Sequence, residues 1–214
     1  MRAQLSQGLA ELGLVLTEAQ QVKLLDYLAL IQKWNKVYNL TAVRDKTEML
    51  THHLLDSLAV IRPLQKQTQG LAKKLLDVGS GAGLPGIVIA ICCPEISVTC
   101  IDAVAKKSTF IQQAAISLKL PNLQGLHARI ESLAEPYDII GSRAFASLVD
   151  FTSWSSKALI SQGLWFAMKG KYPADEIEAL VQSAPEIDVF HVEQLSVPGL
   201  DAERCILWLR RKAH

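Results

Sequence analysis

Short apolar runs alternate with helix-like stretches from Lys74 onward, and nothing else in the chain constrains the fold as much. KLLDV (74–78), SVTCID (97–102), LQGLHA (123–128), YDIIGS (137–142) and GLWFAM (163–168) read as strands. The intervals near 86–93, 105–119, 147–160 and 174–184 read as helices. Apolar strands separated by helices predict a parallel sheet covered on both faces. The end of the chain breaks this rhythm. IDVFHVEQL (187–195) and RCILWLRR (204–211) are strands with no room for a helix between them. They predict a hairpin, so the last strand runs antiparallel to its neighbour. The closing Arg210, Arg211, Lys212 run is expected to be a solvated end.

The region before residue 70 has no strand pattern. MRAQLSQGLAELG reads as an amphipathic helix rather than a signal peptide, because it has no apolar core and carries acid early. Residues 17–42 have Val22, Leu25, Leu28, Ile31, Trp34 and Val37 at helical spacing, with Thr17 and Gln20 placed as a capping box. Trp34 and Tyr38 are expected in the core. Residues 46–64 read as one further helix that ends near Pro63. The polar, glycine-terminated segment 65–71 marks the boundary between a helical leader (1–70) and the sheet domain (71–214).

Bulk properties exclude several classes. Lys and Arg total 22 against 21 Asp and Glu, so any nucleic-acid contact must come from a local basic patch. The chain has no apolar run of transmembrane length, and no membrane partner is expected. The four cysteines, Cys92, Cys93, Cys100 and Cys205, form no CxxC and no zinc spacing with histidine. They are expected as buried thiols of a cytoplasmic protein, and no metal is expected.

The chemistry concentrates in LLDVGSGAGLPG (75–86). Gly81-Ala82-Gly83-Leu84-Pro85-Gly86 fits GxGxxG after a strand and before a helix, which serves several nucleotide-like cofactors. Pro85 suits the first turn of that helix. There is no GxxxxGK[ST], so a P-loop is excluded. Asp77 favours a ligand with a cationic amino-acid end, since a pyrophosphate gains nothing from a carboxylate at the turn. Asp102 closes the next strand, where a carboxylate accepts ribose hydroxyls. That feature serves NAD and S-adenosylmethionine equally. The terminal hairpin does not fit a six-stranded dinucleotide fold.

D-V-G-S-G-A-G (77–83), Asp102 and the reversed last strand together resemble a class I S-adenosylmethionine-dependent methyltransferase. The fold this implies is α/β, a Rossmann-like seven-stranded sheet with an antiparallel last strand, preceded here by the small helical leader. By the same resemblance the glycine turn faces the methionine part of the cofactor. Asp102 holds the ribose, and Arg129, Ile130 and Glu131 flank the adenine. WNKVYNLTAVR (34–44), HHLLDSL (52–58), DVGSGAGLPGI (77–87), SRAFASL (142–148) and MKGK (168–171) narrow the match. In this order they resemble the bacterial 16S ribosomal RNA guanine-N7 methyltransferases of the glucose-inhibited division protein B family, over about residues 15–175.

That resemblance implies methylation of one guanine in a stem-loop of 16S rRNA near the decoding site, on the assembling small subunit. It puts Gly79, Leu84, Ile130, Glu131 and Arg143 at cofactor-contact positions. The residues themselves add Asp77, Gly81 and Asp102. Guanine N7 carries a free lone pair, so its methylation needs alignment and not a general base. Arg143, Phe145 and Lys169, at the carboxyl edge of the sheet, are the expected positioning residues. Phe145 could equally belong to the core. Asn39, Arg44, His53, Lys169 and Lys171 are the candidate RNA contacts. His53 and Asp56, three apart on one helical face, are expected to be structural or RNA-positioning rather than a catalytic dyad. A monomer is expected. The alternatives are a non-catalytic RNA-binding or assembly module and a small NAD-dependent oxidoreductase.

Overall fold

The computed structural model describes residues 1–212. The leader begins with α1 (Arg2–Glu11) and α2 (Glu18–Tyr38). Thr17 and Gln20 form the expected capping box on α2. Asn39 closes α2 in the left-handed region at φ 48°.

The single helix expected over 46–64 is instead broken. α3 (Lys46–Met49) is capped by Asp45 and runs into a π-helical turn, Leu50–Leu55. That turn leads to the short α4 (Asp56–Leu58), and α5 (Ile61–Thr68) follows. Pro63 sits in the first turn of α5 rather than at the end of a helix. An amide is not needed by the helix at that position, so proline starts this helix as readily as it would stop another.

The sheet is made of β1 (Lys73–Val78), β2 (Ile96–Asp102), β3 (Leu123–His127), β4 (Tyr137–Arg143), β5 (Leu159–Lys169), β6 (Ile187–Gln194) and β7 (Cys205–Arg211). Between them lie α6 (Gly86–Cys92), α7 (Ala105–Ser117), α8 (Leu148–Ser155) and α9 (Ala174–Ser183). The strand order is β3-β2-β1-β4-β5-β7-β6. β7 lies antiparallel between β5 and β6, and the β1–β2, β2–β3, β1–β4 and β4–β5 pairs are parallel. The seven-stranded sheet with a reversed last strand is therefore as the sequence predicts. One boundary moves. α8 stops at Ser155, a 3-10 turn follows, and β5 starts at Leu159 rather than at Gly163.

Alternate side chains of β1 serve the two faces. Leu75 joins a cluster containing Leu24, Tyr27, Leu28 and Ile31 of the leader with Ile87, Val88 and Phe110. Leu76 and Val78 join the opposite cluster with Phe151, Trp165, Leu180 and Leu207. The leader thus covers the same sheet face as α6 and α7.

The basic run at the end of β7 is solvated at Arg210 and Lys212, as expected, but it is also anchored. Arg210 pairs with Asp188 at 3.1 Å. Arg211 donates to the carbonyls of Ser156 (2.7 Å) and Ile160 (3.0 Å) and lies 5.3 Å from the Trp165 ring. The reversed strand ends beside the entry to β5, within reach of these carbonyls. Among the described residues, no helix is long and apolar enough to cross a membrane. No group of three or more His, Cys, Asp or Glu residues there could hold a metal ion.

Candidate active site

In an open α/β sheet, ligands bind where the strand order reverses, beyond the carboxyl ends of the strands. Here that point lies between β1 and β4, so the glycine turn after β1 faces the end of β4 at Arg143. Gly79 and Gly81 adopt φ +65° and +59°, which side chains rarely accept. A Cβ on Gly81 would meet no atom within 4 Å, so its backbone opens to free space. Gly86 is small for a different reason. A Cβ there would collide with Cys100 and come within 2.8 Å of Asp77 Oδ2. Its absence lets the first turn of α6 close over the strand end.

Asp77 lies beneath this turn, fully buried. Its Oδ2 accepts the Gly86 amide at 2.9 Å, and its Oδ1 has no partner. Burial pushes its carboxyl up to about 7, against the pull of the Gly86 amide and of Arg143. Tyr27 of α2, also fully buried, donates to the Ala82 carbonyl at 2.6 Å and so ties the leader to the turn.

Two cavities open from the turn and share Gly79. One, of about 370 Å³, is walled by Ile101, Ala128, Ile130, Glu131, Phe145 and Trp154, with Asp102 at one side. Asp102 accepts the Gly81 amide (3.0 Å) and the Val104 amide (2.9 Å), with Lys107 Nζ 3.6 Å away. Each carboxylate oxygen retains capacity for a further donor. A slot with apolar walls and two acids, Asp102 and Glu131, at its edges fits a nucleoside. Phe145 is half-buried, its ring packed against Gly79 and edge-on to Phe151 and Trp154.

The other cavity, of about 480 Å³, carries most of the charged side chains. Gly81 and Leu84 form its floor, and His53, Asp56, Arg143, Lys169 and Arg204 line it. Asp56 is buried and accepts from Arg143 at 2.7 Å and from Arg204 at 2.8 Å. Arg143 also donates to the His52 carbonyl in the π-helical turn. Such turns often mark functional sites, because they leave a carbonyl free of its helical partner. Lys169 donates to both oxygens of Glu176 and to the Ala146 carbonyl. It thereby braces the loop that carries Phe145.

His53 and Asp56 do not pair. The His53 Nε2 lies 2.7 Å from Thr41 Oγ1, and Asp56 turns to the two arginines. Burial, and then Arg143, hold the His53 imidazole below its ordinary value. The other candidates lie further out. Asn39, Arg44 and Lys171 are exposed, the first two on the loop between α2 and α3 and the third beyond β5. Tyr38 is 39% exposed and stacks on Trp34 at 5.1 Å, so of this pair only Trp34 is packed inward.

Sequence reasoning missed Arg204, Tyr27 and Trp154. Arg204 could have been found from the hairpin. Antiparallel pairing sets Cys205 opposite Lys169, which puts the residue before Cys205 at the ligand edge.

Residues 20–207 match the family model described as rRNA small subunit methyltransferase G. The chain belongs to this family. Two relatives carry the name ribosomal RNA small subunit methyltransferase G. The protein of Acidovorax ebreus (strain TPSY) is 63% identical over 214 residues, covering 96% of this chain and 93% of its own. That of Polaromonas sp. (strain JS666 / ATCC BAA-500) is 64% identical over 212 residues, covering 96% and 92%. Among solved structures, the magnesium protoporphyrin IX methyltransferase of Synechocystis PCC 6803 with bound SAM superposes with a TM-score of 0.63 at 13% identity, over 87% of this chain and 98% of that one. The last likeness is one of fold.

Proposed function

We propose that this member of the methyltransferase G family transfers a methyl group from S-adenosylmethionine to N7 of one guanine in 16S rRNA. Membership over residues 20–207 carries the reading, and the paired cavities at the glycine turn supply the chemistry. The cofactor fits the residues present. The apolar slot with Asp102 suits adenosine, with the Asp102 carboxylate on the ribose hydroxyls and Ile130 and Glu131 beside the base. The charged cavity at Gly79, Gly81 and Leu84 suits the amino-acid end, with Arg143 for its carboxylate. The unpartnered oxygen of Asp77 supports the assignment of its ammonium to that side.

S-adenosylmethionine supplies a methyl group already activated on a sulfonium. The chain's own task is to place guanine N7 in line with it and to exclude water, which is worth roughly 7–11 kcal/mol of a barrier. N7 has no proton to lose, so His53 is not needed as a base, which agrees with its hydrogen bond to Thr41. Asp56 fixes Arg143 and Arg204 at the cavity wall, and Lys169 fixes the loop bearing Phe145, whose ring closes the nucleoside slot beside Gly79. Asn39, Arg44 and Lys171, exposed around the cavity mouth, suit phosphate contacts. The protein acts as a cytoplasmic monomer, with the leader 1–70 as part of the substrate-facing wall of the 71–214 domain. A nucleoside-resolution map of 16S rRNA from cells lacking the protein tests this reading. One guanine should lose its N7 methyl group and regain it on complementation, and an unchanged map would overturn the assignment.

A further inference from the structure

We infer that a basic groove on the leader, next to the charged cavity, is the docking track for the phosphate backbone of the RNA substrate. The inference rests on the methyltransferase reading above and extends it to a surface outside the two cavities. The groove, of about 480 Å³, lies between α2 and the start of α3. Lys33, Lys36, Arg44 and Lys46 line it, together with Asn35, and no Asp or Glu does.

In a chain with 22 basic and 21 acidic residues, four cations lining one groove are a local concentration, and Asp45, between two of them, is turned to the Thr47 and Glu48 amides. All four are exposed, and none pairs with a carboxylate among the described residues. Arg143, Lys169, Arg204 and Arg210 differ, since each holds one. Lys33 and Lys36 lie three apart on one helical face, where like charges repel. Such an arrangement disfavours the free protein slightly and favours a polyanion.

The groove and the charged cavity share a wall. Asn35 lines the groove, and its Oδ1 accepts the Thr41 amide at 2.9 Å. Thr41 lines the cavity, with its hydroxyl 2.7 Å from His53 Nε2. One hydrogen-bonded loop therefore separates the cations from the reacting centre. A strand held by its phosphates in the groove has its neighbouring nucleotides at the cavity mouth.

The test uses the full chain carrying Lys33→Ala, Lys36→Ala and Lys46→Ala together. Its control carries Lys66→Ala, Lys74→Ala and Lys157→Ala, three exposed lysines around the opposite edge of the sheet. Binding to a protein-free 16S stem-loop is measured between about 50 and 200 mM salt. With about 0.7 ions released per single-strand phosphate contact, the groove variant should flatten the log–log salt slope by roughly 2. Its KM for RNA should rise on the order of tenfold, while kcat and S-adenosylhomocysteine affinity stay at wild-type values. The control should match wild type throughout.

A groove variant with unchanged slope and KM would overturn the inference while leaving the methyltransferase reading intact. A wild-type enzyme that methylates no guanine would overturn that reading, and the salt slope would still report on the groove. A defect on assembled subunits alone, with unchanged binding to bare RNA, would assign the groove to a ribosomal protein and overturn the inference.

Discussion

Replacing Asp56 by asparagine removes the one carboxylate that holds Arg143 and Arg204 together. The Asp56 side chain is 4% exposed, and the two guanidinium side chains are 20% and 25% exposed. Its bonds to them, at 2.7 and 2.8 Å, are charge-assisted, and such bonds contribute about 1.5–3 kcal/mol each. Asparagine keeps one acceptor, and water reaches part of each guanidinium, so the sum must be discounted. A net loss of about 3 kcal/mol follows. For a chain of this size that lowers Tm by roughly 6–12 °C. The assay is thermal unfolding by circular dichroism, combined with an Asp56→Asn/Arg204→Gln double-mutant cycle that isolates the shared energy. Affinity for S-adenosylhomocysteine should fall as well, because Arg143 loses its fixed orientation. A Tm within about 2 °C of wild type and no coupling in the cycle would refute the reasoning.

Four further perturbations separate the roles of neighbouring residues. Tyr27→Phe strands the Ala82 carbonyl and should cost about 1–3 kcal/mol in urea unfolding, with weaker cofactor binding; stability equal to wild type would show that the leader does not pin the turn. Gly81→Ala strains the backbone by about 1–2 kcal/mol but meets no neighbour, so the protein should fold and lose S-adenosylhomocysteine affinity by at least roughly tenfold. Gly86→Ala, which drives a methyl into Cys100 and Asp77, should instead destabilise the fold severely, and equal behaviour of the two glycine variants would contradict the division of labour between them. Asp77 is raised when folded, from an ordinary value near 4 to about 7, so the unfolded chain gives up this proton first as pH rises and the native state loses stability across that window. Relative to Asp77→Asn, wild type should weaken by up to roughly 4 kcal/mol between pH 4 and 7; parallel stability–pH curves would show that the carboxyl is not perturbed.

The strands were legible because a doubly covered parallel sheet demands nearly continuous apolar runs, and KLLDV and SVTCID stand out against their polar turns. The reversed strand was legible because the eight residues between the two runs, 196–203, cannot hold a crossover helix. The break in the second leader helix was not legible. The His52 carbonyl in its π-helical turn accepts from Arg143, which lies far along the chain. The same distance hid the Asp56 cluster. Three-residue spacing suggested His53 as the partner of Asp56, whereas the fold delivers two arginines from β4 and the final hairpin. Asp102 and Arg143 stood out at strand ends, whereas Gly79 and Ile130 were named only through the family resemblance. The groove lysines did not, because Lys33 and Lys36 acquire Arg44 and Lys46 only when the chain folds back after Asn39.

The most direct measurement incubates the purified protein with small-subunit RNA and isotopically labelled S-adenosylmethionine, then digests the RNA and separates the nucleosides by mass. The account predicts label in 7-methylguanosine alone, lost with Arg143→Ala and retained with His53→Gln. Label in any other nucleoside, or transfer abolished by His53→Gln with cofactor affinity unchanged, would contradict it.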